Sequence, residues 1–346
     1  MRKKLPLFKK IVKRAVIGIL LLIVLPFMLL YALTLSWQII RPPAKQITYG
    51  VTFSQTNAKF LQLDWQKVYI ETLDDLNVKH LRLQTYWNTI QKDEDKYDFS
   101  ENDYMLDEAA KRGVKVILTV GIKQPRWPEC YVPDWAQQLS VEKRQEKALE
   151  FITEVVKRYK DNPVVESWQV ENEPLIYFYA SHCDKIDLAF LQKEVALIRS
   201  IDSHPIVIAD SGELSLWKNQ MQLSDVFGTT LYRTVWNKYM GYTTLIWPPG
   251  AYSLRSDFFR SVFAPNNKKT IVVELQSEPW LPDNDPINTP IERQIEIFSL
   301  KSMDDNIEFA NKTSFDEIYL WGVEWWYFMK QKGHPEYWDN AKKLFP

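Results

Sequence analysis

Glycine is scarce in this chain, 10 residues in 346, and no G-x-G-x-x-G run occurs. A doubly wound dinucleotide-binding sheet usually needs that turn after an early strand, so its backbone can approach a pyrophosphate. That architecture therefore loses its support. Cysteine and histidine are scarcer still. Cys130 and Cys183 form no C-x-x-C pair, and His80, His182, His204 and His334 are scattered. With no zinc-ligand spacing, no metal and no cofactor is expected. The two cysteines are either buried free thiols or one disulfide across two loops, the second if the domain lies outside the cytoplasm. Charge of one sign is missing as well: 43 Lys and Arg face 44 Asp and Glu, a net of −1. A nucleic-acid surface would need a basic excess on one face, so no nucleic-acid partner is expected. Internal repeats and low-complexity segments are also absent.

What is present is apolar and aromatic. Hydrophobic residues make up 46% of the chain, with 14 Trp, 17 Tyr and 17 Phe. Most of these rings belong to a core, but a carbohydrate site uses the same residues, because the apolar face of a sugar stacks on an aromatic plane.

Charge and apolar character separate sharply at the amino terminus. Arg2, Lys3, Lys4, Lys9, Lys10, Lys13 and Arg14 precede the run from Ala15 to Trp37, and the first acidic residue is Asp64. A bilayer core takes about 20 apolar residues in a helix, which this run supplies, and Pro26 does not exclude a span. The stretch is longer than the apolar region of a cleaved signal peptide, and no small-x-small site follows. It reads as a retained signal-anchor: residues 1–14 a basic cytoplasmic segment, 15–37 the span, 38–46 a linker containing Pro42 and Pro43. The positive-inside rule then sends residues 47–346 across the membrane. The expected location is a single-pass cell-membrane protein with its globular domain outside the cytoplasm.

From Ile47 onward, short apolar runs alternate with amphipathic stretches. Strands are expected at ITYGVTFS, KHLRLQT, VKVILTV, VVESWQV, PIVIAD, VFGTTLY, TIVVEL and EIYLWG. Helices are expected at Gln66–Leu76, Asn102–Arg112, Val141–Tyr159, Ile186–Ile201, near Leu214–Met221, and at Tyr252–Phe263, Pro290–Ala310 and Pro335–Leu344. Eight strand-then-helix units over roughly 300 residues predict an α/β fold, the closed (β/α)8 TIM barrel, preceded by one transmembrane helix.

Active sites in that barrel lie at the carboxyl ends of the strands. The fourth strand runs into Glu171-Asn172-Glu173-Pro174, and the seventh ends in Glu274-Leu275-Gln276. Strands four and seven lie across the barrel from each other, so Glu173 and Glu274 can converge over its mouth. Two converging carboxylates suit glycoside hydrolysis, one protonating the leaving oxygen and the other attacking the anomeric carbon. Asn-Glu-Pro alone would occur by chance in roughly 4% of chains this long; its weight comes from falling on strand four with a second Glu ending strand seven.

This pattern resembles glycoside hydrolase clan A, the retaining barrel glycosidases, over the whole region from Gln46. The resemblance implies that Glu173 is the acid/base, Asn172 a ligand of the sugar 2-hydroxyl, and Glu274 the nucleophile. It further implies that Arg82 orients the nucleophile, Tyr232 hydrogen-bonds it and Trp321 floors the sugar site. The TYWNTI run from Thr85 and the PRWPEC run from Pro125 match loops of the clan after strands two and three. Glu171 reads as a barrel-interior acid held by hydrogen bonds, since it shares the strand parity of Glu173. Glu278 reads as a loop ion pair or rim residue, Asp93-Glu94-Asp95 as a solvated loop, and the aromatic stretch Trp321–Phe328 as core or rim. Asp210 and Glu213 could line the cleft without a defined role. The function implied is hydrolysis of an extracytoplasmic, β-linked oligo- or polysaccharide by double displacement. A non-catalytic glycan-binding barrel and a transglycosidase using the same residues stand beside it.

Overall fold

A computed structural model describes residues 5–176 and 183–345; Arg2, Lys3, Lys4 and His182 lie outside the described residues. Ten strands form: β1 (Thr48–Thr52), β2 (His80–Gln84), β3 (Lys115–Val120), β4 (Val165–Val170), β5 (Ile206–Asp210), β6 (Val226–Leu231), β7 (Thr234–Asn237), β8 (Gly241–Thr244), β9 (Lys269–Gln276) and β10 (Glu317–Trp321). Eight close into a parallel barrel in the order β1-β10-β9-β6-β5-β4-β3-β2, while β7 and β8 make a separate antiparallel hairpin. β9 and β10 are thus the seventh and eighth barrel strands, and all eight expected strands are found.

Two apolar layers hold this arrangement. Inside the barrel, Ile117, Val207, Ala209, Ile271, Val273 and Tyr319 form one cluster. Their positions repeat every second residue, as the pleat requires. The larger cluster lies between the sheet and the surrounding helices. The Val141–Tyr159 helix shows how it is built: Ser140 caps it by accepting from the Lys143 amide, and Ala148, Phe151, Ile152, Val155, Val156 and Tyr159 form its buried stripe. Gly50 is required by packing, because a Cβ there would sit 2.6 Å from the Tyr319 ring inside the barrel.

Four local features differ from expectation. The stretch Pro290–Ala310 is two helices, Ile291–Ile297 and Leu300–Asn311, because the Ser299 side chain accepts from the Ser302 amide and starts a new cap. Trp321–Phe328 is core, one of its two expected readings, but the unexpected feature is a helix: Val323–Gln331, whose residues from Val323 to Met329 are all buried. Burial all round erases the 3.6-residue period that would have marked it. The loop after β6 contains the β7–β8 hairpin, which the sequence reading did not contain.

The amino terminus also differs. One helix runs from Leu5 to Ile40, through the first three residues of the expected linker. Val12–Ile40 is long and apolar enough to cross a membrane, and none of its most apolar stretch is buried in the protein. Its last turns dock on the Pro249–Phe263 helix. There Trp37 donates to Asp257 (3.2 Å), Arg41 pairs with the same carboxylate (2.9 Å), and Gly250 admits the Thr34 carbonyl where any Cβ would collide. Residues 41–46 of the expected linker form neither helix nor strand.

Candidate active site

Glu274 reaches the barrel mouth through a bulge. β9 pairs Val272 with Thr229 of β6, then Glu274 with Thr230, so Val273 is an extra residue; the pairing with β10 skips a residue between Val272 and Leu275 in the same way. A bulge breaks the strict alternation of faces and re-aims a side chain. Val273 therefore stays in the interior cluster while the next residue turns toward the site.

The Glu274 carboxylate is firmly held. Arg82 of β2 donates from Nη1 to Oε1 (2.7 Å), and the Tyr232 hydroxyl donates to Oε2 (2.9 Å). Arg82 is itself wholly buried, and it also donates from Nη2 to Asn172 Oδ1 and from Nε to Gln169 Oε1, each at 2.7 Å. One guanidinium fork thus fixes residues from β2, β4 and β9 in a single network. Of the six expected site residues, Arg82, Asn172, Tyr232 and Glu274 are bonded together. Gln169 is the member that sequence reading missed, although its position one residue inside the end of β4, two before Glu171, offered a parity signal.

Glu173 is held differently. β4 stops at Val170, and Glu171 and Glu173 both adopt left-handed backbone, φ 60° and 45°. Positive φ in non-glycine residues is uncommon, and such residues concentrate at functional sites. Arg126 and Glu129 of the loop after β3 share the feature, at φ 85° and 69°. Among the described residues, the side-chain hydroxyl at Glu173 is Thr230 Oγ1, at a long 3.4 Å from Oε1. Burial first, then the negative charges of Glu129 and Glu274, hold the Glu173 carboxyl well above its usual range, with Lys123 opposing them. Lys123 donates to the carbonyls of Glu173 (2.9 Å) and Ile176 (2.8 Å) and pairs with Glu129 (3.0 Å). Neither Lys123 nor Glu129 carried a sequence signal; only the folded loop brings them to the carboxylate.

Glu171 does not face the barrel interior. Its carboxylate accepts from the Ile122 amide (2.7 Å) and the Lys123 amide (2.5 Å) and lies beside the buried carboxyl of Glu194 on the Leu188–Ile201 helix. The left-handed turn breaks the strand parity on which the interior expectation rested, so the side chain lies between sheet and outer helix. Glu278 pairs with Arg126, which also pairs with buried Glu324. Trp321 is almost fully buried, with the Arg126 guanidinium 4.0 Å from its ring centre. One face of that indole is already covered by a cation, which narrows its expected role as a sugar floor. Glu213 accepts from the Tyr232 amide (3.1 Å) and the Tyr252 hydroxyl (2.9 Å), and burial pushes its carboxyl up to about 7. It supports the Tyr232 backbone from behind.

Cys130 and Cys183 form a disulfide that ties the loop after β3 to the segment after β4. Among the described residues, no group of His, Cys, Asp or Glu could hold a metal ion.

Comparison with known proteins agrees with this geometry. The profile of glycoside hydrolase family 42, described as beta-galactosidase, matches residues 56–204. The beta-galactosidase LacZ of Heyndrickxia coagulans is 27% identical over 124 residues, covering 30% of this chain and 18% of that protein. The beta-galactosidase of the psychrophilic Marinomonas ef1 shares the fold with a TM-score of 0.52 at 15% identity, over 79% of this chain and 54% of its own. The beta-galactosidase of Rahnella sp. R3 gives 0.56 at 14% identity, over 88% and 56%. The GH5_18 protein of Streptomyces cattleya, in complex with GlcNAc, gives 0.53 at 12% identity, over 80% and 71%. The chain therefore spans a small part of the curated relative and about half of each galactosidase structure. Family profile, barrel topology and the Asn-Glu-Pro turn after β4 together make the chain similar to the (β/α)8-barrel glycosidases of glycoside hydrolase clan A.

Proposed function

We propose that this protein is a membrane-anchored, retaining β-galactosidase working outside the cytoplasm, with Glu274 as nucleophile and Glu173 as acid/base. The observation that supports it best is the unequal treatment of the two carboxylates. Arg82 and the Tyr232 hydroxyl both donate to the Glu274 carboxylate and aim it. Burial and two neighbouring acids favour a protonated Glu173. A carboxylate held by a cation and a phenol suits a nucleophile, and a carboxyl that burial keeps protonated suits an acid.

In the first step Glu274 attacks the anomeric carbon, and Glu173 gives its proton to the departing glycosidic oxygen. A glycosyl ester on Glu274 results. Glu173, now anionic, takes a proton from water as the water attacks the ester, and both side chains return to their starting states. Asn172 has its carbonyl engaged by Arg82, which leaves Nδ2 to donate to the sugar 2-hydroxyl. That bond strengthens as positive charge develops on the ring. The family 42 match and the galactosidase relatives favour galactose as the accepted sugar. The apolar Val12–Ile40 helix and the disulfide favour an anchored, extracytoplasmic enzyme.

The test uses an activated 2-deoxy-2-fluoro-β-galactoside. Intact-mass spectrometry should show one covalent sugar, and peptide mapping should place it on Glu274. An adduct on Glu278 or Glu171 would overturn the residue assignment. Labelling by the corresponding glucoside or mannoside but not the galactoside would overturn the sugar. Absence of any adduct would favour a non-catalytic glycan-binding barrel.

A further inference from the structure

The amino-terminal helix reveals which side of the barrel meets the membrane. It runs parallel to the Pro249–Phe263 helix. Phe27 and Tyr31 lie against Trp247 (ring centres 5.4 and 6.4 Å), Thr34 and Gln38 against Gly250, and Trp37 and Arg41 against Asp257. The Pro249–Phe263 helix follows β6, so it starts at the carboxyl-end face of the barrel and runs away from it. A parallel neighbour must therefore project its earlier residues beyond that same face. Those earlier residues, from Ala15 to Leu25, are the apolar ones. Counting about 20 residues of hydrocarbon core from Ala15 puts its outer boundary near Thr34, level with the rim of the catalytic face.

The rim is built for that position. The loop between β6 and the Pro249–Phe263 helix exposes Tyr239 (84%), Met240 (71%) and Ile246 (64%), with Lys238 at the hairpin tip. The neighbouring loop after β5 exposes Leu214 and Leu216. Monomeric proteins rarely leave such patches unpartnered, and aromatic and basic side chains suit the headgroup boundary. The same loop also walls the site. It opens at Tyr232, which bonds Glu274, and Tyr242 of β8 donates to the Trp280 carbonyl (3.0 Å), with the Trp280 ring packed edge-on to Tyr232.

We propose that the catalytic mouth faces the lipid surface from which the helix emerges, and that its substrate is a β-linked glycan carried on a lipid of that leaflet. This rests on the reading of Val12–Ile40 as a span and of Glu173 and Glu274 as the catalytic pair. The orientation follows from the parallel packing, and the occupant of the apolar rim from its continuity with the span.

The experiment uses the full chain in nanodiscs of phosphatidylethanolamine and phosphatidylglycerol. Spin labels are placed singly at Met240→Cys, on the rim, and at Lys115→Cys, exposed at the opposite end of β3. The Met240 label should be relaxed by lipid-soluble oxygen and the Lys115 label by an aqueous nickel complex. Separately, the triple variant Tyr239→Ser, Met240→Ser, Ile246→Ser should cleave galactosyl diacylglycerol in vesicles about tenfold more slowly, through loss of effective concentration at the surface. Its rate on soluble nitrophenyl β-galactoside should stay unchanged. Water-exposed labels at both positions would overturn the orientation, and spin–spin broadening at Met240 would assign the rim to a second copy instead. Equal losses on both substrates, or none on either, would overturn the lipid-borne substrate. If the unmodified protein cleaves neither glycoside, the glycosidase reading fails and takes the substrate half with it, while the Met240 label still decides the orientation.

Discussion

The carboxyl ends of β4 and β9 carry the same functional group and treat it in opposite ways. β9 delivers Glu274 from within a hydrogen-bonded strand, turned by a one-residue bulge, onto a buried guanidinium and a phenol. β4 ends first, and Glu173 follows on a left-handed turn among acids, with one long hydroxyl contact. The first environment compensates a negative charge; the second penalises one. Two identical side chains thus acquire different surroundings from backbone geometry and neighbours, which suits the proposed division into nucleophile and acid.

The largest test of that contrast removes each carboxylate in turn. Glu274→Gln should lower kcat by at least about a thousandfold with every leaving group, since no covalent intermediate can form. Glu173→Gln should lower it by about 10²–10⁴ on a poor leaving group and far less on a dinitrophenolate, which needs no protonation. Steady-state kinetics on paired substrates reads both, and equal losses across leaving groups for Glu173→Gln would erase the distinction.

Next comes the compensation itself. Arg82→Met leaves the Glu274 carboxylate buried without its cation, which should cost about 3–5 kcal/mol of stability. It should also lower kcat with every leaving group, because the Glu274 oxygen is no longer aimed by the Nη1 donor. Urea unfolding and steady-state kinetics measure the two effects. An unchanged kcat would mean that Arg82 only props the fold.

A smaller effect belongs to Glu129. On the proposed mechanism Glu173 starts the cycle protonated, so activity should fall as pH rises through its raised pKa. Glu129→Gln removes one of the negative charges that raise it. The basic limb should therefore move to lower pH, with kcat at the optimum little changed. A limb that stays in place would show that burial alone sets the Glu173 proton affinity.

The smallest effect is on stability. Glu213 titrates at about 7 in the fold against an ordinary 4.5. Between those values the folded state binds more protons than the unfolded one, so this group makes stability fall as pH rises through that window and level off above it. Glu213→Gln should flatten the dependence of Tm on pH across the window. An unchanged slope would assign it to other buried acids such as Asp210, which burial pushes to about 6.

Much of the architecture was legible because it is repetitive. Eight short apolar runs separated by amphipathic stretches can close only in a few ways, and every expected barrel strand lies within a residue or two of its place. The Val323–Gln331 helix escaped because total burial leaves no polar face to reveal a period. In the site, Glu173, Glu274, Asn172, Arg82 and Tyr232 were reached by position at strand ends together with a family resemblance. Gln169, Lys123 and Glu129 were not, because their importance lies in distances across the barrel.

The sequence by itself determined the order of elements, the apolar amino-terminal stretch and the residue types at the strand ends. These depend on local composition and periodicity, which survive in one dimension. Only the tertiary structure decided which way those residues act. The bulge at Val273 turns Glu274 onto Arg82, the left-handed turn sends Glu171 outward and Glu173 among acids, and the docking of Trp37 and Arg41 on Asp257 sets the barrel against the apolar amino-terminal helix. Charge compensation and orientation depend on through-space distances, and those exist only once the chain has closed on itself.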